Sequence, residues 1–177
     1  MKALRNLPAY IFLCFAFTGI NAYAQQTPKL TDPEIASVAV TANQIDIDAA
    51  KLAKEKSKNE EVTKFAETMI NDHQAVIDQA VALVKKLNVT PKDNAVSQKL
   101  SADAANTKKM LQSKSGKDFD KAYIDNEVSY HKAVIDAVQN VLIPQSQNAE
   151  LKQLLQNIMP ALKAHLEHAE MVQKHFQ

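Results

Sequence analysis

Three histidines and an aspartate carry the chemistry this sequence offers. His73, His131, His165 and Asp46 each interrupt an apolar stripe near the middle of an expected helix. A polar group on a buried stripe is costly unless it finds a partner, so four in matching places require a common explanation. Imidazole nitrogens and a carboxylate oxygen are ligands for borderline metals, and Zn, Cu, Fe and Mn all accept such a set. One transition-metal ion held by these four residues is the leading expectation. A buried His–Asp hydrogen-bonded network that fixes helix register is the alternative. A pH sensor is a third reading, because histidine changes charge between about pH 5 and 8.

Residues spaced alternately three and four apart share a helix face. One stripe runs Val62, Ala66, Met69, His73, Val76, Ala80, Leu83. A second runs Ile124, Val128, His131, Ile135, Val138, Leu142, and a third Leu151, Leu155, Ile158, Leu162, His165, Ala169, Val172. Asp46 follows Ile35, Ala39 and Ala42 on its helix, although a rival face with Val38, Ile45 and Leu52 is equally apolar. At 1.5 Å per residue, His73 and His131 lie about 21 Å from a shared end of the fold, with Asp46 near that level. His165 is displaced from it by about a turn or two on the same count.

Other candidates have blander readings. Glu127 precedes His131 by four residues and can orient it or add a ligand, but it reads as a solvated flank residue. Met69 reads as core filler. His168 and His175 fall off their stripe, and Asp72 can pair with a lysine or support His73. There is no nucleophile–base pair and no Gly-rich phosphate loop, so a binding or structural protein is expected rather than an enzyme.

The elements that must position these residues are helical. Two glycines in 177 residues and 46% hydrophobic content point to an all-α chain. Thr31-x-x-Glu34 is a capping box opening a helix to about Ser57, and Ser57-x-x-Glu60 opens a second to about Asn88. Pro91 ends that one. A polar segment from Asp93 to about Lys114 reads as a weaker helix, closed by Ser115-Gly116. A further helix spans Lys117 to Ile143, then comes a loop at Pro144–Gln147. The last helix runs from Asn148, with Pro160 expected to bend it. The weaker helix, about 30 Å long, returns the chain along the fold. That predicts a ferritin-like four-helix bundle with a long helical crossover between the second and third bundle helices.

Residues 1–24 read as a signal peptide: Lys2 and Arg5, an apolar run from Ala9 to Ile20, and Ala22-Tyr23-Ala24 before the cleavage point. Residues 25–30 read as a flexible leader and 31–177 as the bundle domain. The run falls short of the about 20 residues that span a bilayer. Cys14 leaves with the signal, so the mature chain is cysteine-free and suited to an oxidising periplasm or envelope. Removing Lys2 and Arg5 takes the net charge from +1 to −1 and removes the only arginine. A near-neutral surface without arginine argues against nucleic-acid binding.

Asn43-Gln44-Ile45-Asp46-Ile47, Met69-Ile70-Asn71-Asp72-His73, the run Gly116 to Tyr123 leading to His131, and Met159 to Leu166 around His165 resemble a known bacterial family. It is the ferritin-like domain of unknown function labelled "predicted outer membrane protein". The resemblance implies a secreted, helical, ferritin-like fold and no established activity; residence free in the periplasm and peripheral association with the outer membrane both stay open. In that family the position of Asp46 is usually Glu, a longer reach than Asp gives. Di-iron chemistry does not follow, because it needs Glu-x-x-His on two helices. Ile70, Val128 and Leu162 stand three residues before the histidines.

Overall fold

The computed structural model describes residues 29–177, and the expected signal peptide and most of the expected leader lie outside them. Five long helices and no strand occur among the described residues: α1 Asp32–Lys56, α2 Glu60–Lys86, α3 Ala95–Gln112, α4 Gly116–Ala137 and α5 Ala149–Gln173. α4 continues through a π turn at Val138–Leu142 and a last turn at Ile143–Gln145. The expected loop at Pro144–Gln147 is therefore helical in its first half. None of the described helices is long and apolar enough to cross a membrane.

Local chemistry sets the boundaries. Glu34 accepts from the Thr31 N–H at 2.9 Å, closing the expected capping box of α1. The second box does not form as read. Asn59, not Ser57, caps α2, its Oδ1 accepting from the N–H groups of Glu61 and Val62. Ser57 instead accepts from the Asn59 N–H. Asn is as good an N-cap as Ser, and here it lies one residue before the helix. Asn88, at φ 52°, ends α2 in the left-handed conformation that asparagine tolerates. Pro160 is exposed, and α5 runs unbroken through it.

The crossover α3 is fastened to α1 at both ends. At its start Ser37 donates to Asp93 at 2.8 Å, Lys92 N–H to the Pro33 carbonyl, and the Asn94 amide to the Glu34 carbonyl. At its end Lys56 Nζ donates to the Gln112 carbonyl, and Leu111 is buried in the core. α3 therefore runs parallel to α1, and α2 and α4 begin at the same end, as the crossover requires. At the other end Asp32 accepts from the N–H groups of Gln147 and Asn148 at 2.9 Å, holding the α4–α5 connection against α1. Leu30, inside the expected leader, is already buried, and its N–H donates to Gln145.

The core divides into two apolar halves. Around the α1–α2 turn, Phe65, Met69, Phe119, Tyr123, Ile124 and Val172 pack together. Toward the α4–α5 connection, Ile35, Val38, Val138, Leu142, Leu155 and Leu162 do so. Between them lies a polar layer. α1 is apolar on two faces because it is covered twice. Ile35, Ala50 and Ala53 face the bundle, while Val38, Ile45 and Leu52 lie under α3.

Candidate metal centre

The polar layer is built from all four bundle helices. α1 supplies Asn43 and Asp46, α2 supplies His73, α4 supplies Glu127 and His131, and α5 supplies His165, all buried. The three imidazole rings form a nearly regular triangle, with centroid separations of 5.7 Å (His73–His131), 5.2 Å (His73–His165) and 5.5 Å (His131–His165). His165 thus joins the level of the others. α4 runs on to Gln145 instead of ending at Ile143, which removes part of the offset expected from the sequence.

Each histidine is oriented by a bond on its outer side. His73 Nδ1 lies 2.7 Å from Asn43 Oδ1, His131 Nδ1 lies 3.0 Å from the Glu127 carbonyl, and His165 Nε2 lies 2.9 Å from Asp72 Oδ2. All three partners are acceptors, so these ring nitrogens carry the protons. The opposite nitrogens, His73 Nε2, His131 Nε2 and His165 Nδ1, have no hydrogen-bond partner, and one ring nitrogen from each of the three histidines lies within 4.8 Å of the others. Both Asp46 oxygens are likewise unpartnered. Asp46 Oδ2 stands 3.3 Å from His73 Nε2 and 3.6 Å from His131 Nε2, without hydrogen-bond geometry.

Buried polar atoms in native proteins are nearly always paired. Unpartnered buried atoms drawn from four helices form groups able to hold a metal ion. Ligands bound at 2.0–2.2 Å in a tetrahedron stand about 3.4 Å apart, which is how Asp46 stands to His73 and His131. Protonation states agree. Burial and the neighbouring His131 and His165 push His73 down to about 3. Burial pushes His131 down to about 4, so both are neutral ligands at pH 7. Burial raises Asp46 to about 7.

The profile of the family described as "Domain of unknown function (DUF4142)" matches residues 19–172. The chain belongs to this family. No curated protein matches the DUF4142 chain. Among solved structures it is similar to CopM in the Cu(II)-bound form, at 19% identity and a TM-score of 0.62, over 84% of this chain and 100% of that one. Likeness at that identity bears on the fold alone, and it agrees with the all-α bundle.

The structure brings His73, His131, His165 and Asp46 together. It corrects two flanking readings. Glu127 is fully buried rather than solvated, its Oε2 3.7 Å from His131 Nδ1, and it forms a second potential ligand group with Asp46 and His131. Burial, and then Asp46, raise its carboxyl well above the usual range. Asp72 supports His165, not His73. Met69 is core, as read. His175 is exposed and pairs with Glu61, and His168 lies edge-on to Phe65 at 5.1 Å. Asn43 was missed, although Asn43 and Asp46, three apart, already share a helix face. Tyr130 was missed too. Its hydroxyl donates to the Ala42 carbonyl at 2.8 Å and ties α4 to α1 at the level of the site.

Proposed function

We propose that this protein is an envelope metal-binding bundle that holds one transition-metal ion through His73 Nε2, His131 Nε2, His165 Nδ1 and an Asp46 oxygen. The observation that carries the reading is the set of three buried, unpartnered ring nitrogens whose opposite nitrogens are all held by acceptors. That is how protein scaffolds prepare metal-binding histidines. A purely structural network would use these atoms to bond one another, and it leaves them unpaired.

Cu(II) is the first ion to test. It stands highest in the affinity order for nitrogen and oxygen sites, and CopM carries Cu(II) in the structure this chain resembles. Bound there, a divalent ion would keep one net positive charge after Asp46 is counted. The role is sequestration or handling rather than catalysis. The signal pattern at residues 1–24 supports export.

The test is metal content after expression with the signal and recovery without chelator or affinity tag, followed by titration with Cu, Zn, Fe and Mn. One ion per chain is expected, lost in His73→Ala and His131→Ala. A protein that takes up none of the four, or a His131→Ala variant with unchanged affinity and stoichiometry, overturns the reading.

A further inference from the structure

The crossover helix roofs a long apolar cavity of about 430 Å³. Its walls are Val38 and Leu52 of α1, Leu100 of α3, Val138 and Leu142 of the π turn, and Leu155 of α5. Between its anchors at Ser97 and Leu111, α3 has no fully buried residue; Leu100 and Ala104 hang over the space instead. The π turn contributes Val138, Val141 and Leu142 to one wall, and such turns cluster at functional sites. Leu30, Leu142 and Leu155 are buried at one end. The exposed residues Asp48, Asp103 and Lys108 rim the other part.

The shape selects the occupant. From Val96 to Leu111 the roof is about 22 Å long at 1.5 Å per residue. Val38 to Leu52 on α1 and Val96 to Leu111 on α3 line the space over comparable lengths, so it is elongated and suits an extended apolar chain. The apolar lining is broken on its inner side by Asp46, His73 and His131, whose buried atoms lack partners. From His131 to Leu142 is about 16 Å of helix axis, the reach of an extended chain of about a dozen carbons.

We propose that this cavity binds an unbranched fatty acid of about a dozen carbons, tail under α3 toward Leu142 and the carboxyl group, in its neutral form, donating its O–H to an Asp46 oxygen in the apo-protein. Burial of the tail drives association and requires no ion. A gain in affinity on metal loading rests on the metal-binding reading, because the net positive charge of a bound divalent ion favours an anionic oxygen facing it.

Dodecanoate is titrated by calorimetry into the apo-protein, the Cu(II)-loaded protein and two cavity-filling variants, Leu100→Trp and Val138→Trp. Saturable one-to-one binding to the apo-protein is expected, tighter by tenfold or more with Cu(II) and weaker by tenfold or more in either variant. Helical content and metal uptake unchanged from the parent show that a variant is folded with its metal-binding residues intact. Octadecanoate, too long for the stretch from His131 to Leu142, binds more weakly than dodecanoate. Absence of saturable binding to both forms, or binding that survives both tryptophans, overturns the proposal. Binding to the apo-protein without any metal uptake leaves the fatty-acid site standing and overturns the metal-binding reading and the expected gain instead.

Discussion

Oδ1 of Asn43 meets Nδ1 of His73 at 2.7 Å across the α1–α2 interface, inside the buried layer. The amide nitrogen of Asn43 donates to the Ala39 carbonyl at 2.8 Å, which fixes which way the amide faces. With its oxygen toward the ring, His73 must donate from Nδ1, and the lone pair on Nε2 points to the site. Asn43→Leu removes this control while keeping size. Metal affinity should fall by about 10- to 100-fold, as for other supports of metal-binding histidines, with helical content unchanged. Calorimetric titration with Cu(II) checks this; an unchanged affinity would separate Asn43 from the site.

Metal affinity should depend on pH through Asp46 near neutrality. His73 and His131 are already neutral down to about 4, whereas Asp46 takes up a proton below about 7. An ion that needs the carboxylate must displace that proton, so Asp46 contributes a drop in affinity of up to about tenfold per pH unit between pH 7 and 5. Asp46→Asn should bind more weakly at pH 7.5 and show a shallower profile over the same range. A parent profile no steeper than the variant's excludes the Asp46 oxygen as a ligand.

The apo-protein should have a stability plateau in mild acid, set by opposing pairs. Glu127 and Asp46 have raised values when folded, so each favours the native state at low pH and loses that contribution as pH rises through its folded value. His73 and His131 have depressed values, so their contribution is present above 6.5 and lost as pH falls to about 4 and 3. Between about pH 5 and 6.5 the two pairs cancel. Below the ordinary Glu value of 4.5 the histidine effect outweighs that of Asp46 and stability falls. Above about 7 the Asp46 contribution is spent, and Glu127, its carboxyl held well above the usual range, still lowers stability as pH rises. Glu127→Gln should reduce the alkaline fall, seen as a smaller drop in apo melting temperature from pH 6.5 to pH 8 than the parent shows. A parent difference that persists undiminished in the variant assigns the fall to another group.

Leu111 anchors the far end of α3 in the core at 1% exposure. Leu111→Ala should cost about 2–5 kcal/mol in urea unfolding, the range for a large-to-small change in a packed core. Amides of α3 should lose hydrogen-exchange protection before those of α2. Equal loss in both helices would mean that α3 opens only with the whole bundle.

The three histidines were legible because α2, α4 and α5 each bury one dominant stripe, and a residue on such a stripe has one place to go. Asp46 was ambiguous for a physical reason: α1 packs against the bundle on one side and α3 on the other, so two faces are apolar and periodicity cannot rank them. Glu127 failed on similar grounds. It adjoins the His131 stripe of α4, where a carboxylate ordinarily finds water, and only the fold shows it buried beside His131, with its carboxyl raised by that burial. The Ser57 box was a sound pattern overtaken by Asn59, which sits where the cap is needed. The cavity left no sequence signal, since its walls come from four helices and the roof looks merely like a weak amphipathic segment.

Asp72 gives the buried layer an outlet. Its side chain is 51% exposed, yet it holds His165 at 2.9 Å. Asn43 and the Glu127 carbonyl hold their histidines from within, so His165 is the one imidazole whose support can be exchanged for water without unpacking the core. Rotation of Asp72 would free His165 while His73 and His131 stay in place. Loading and release then become local events between α2 and α5, with rates set by surface opening rather than by global unfolding. An ion can therefore be firmly held at equilibrium and still be handed over quickly.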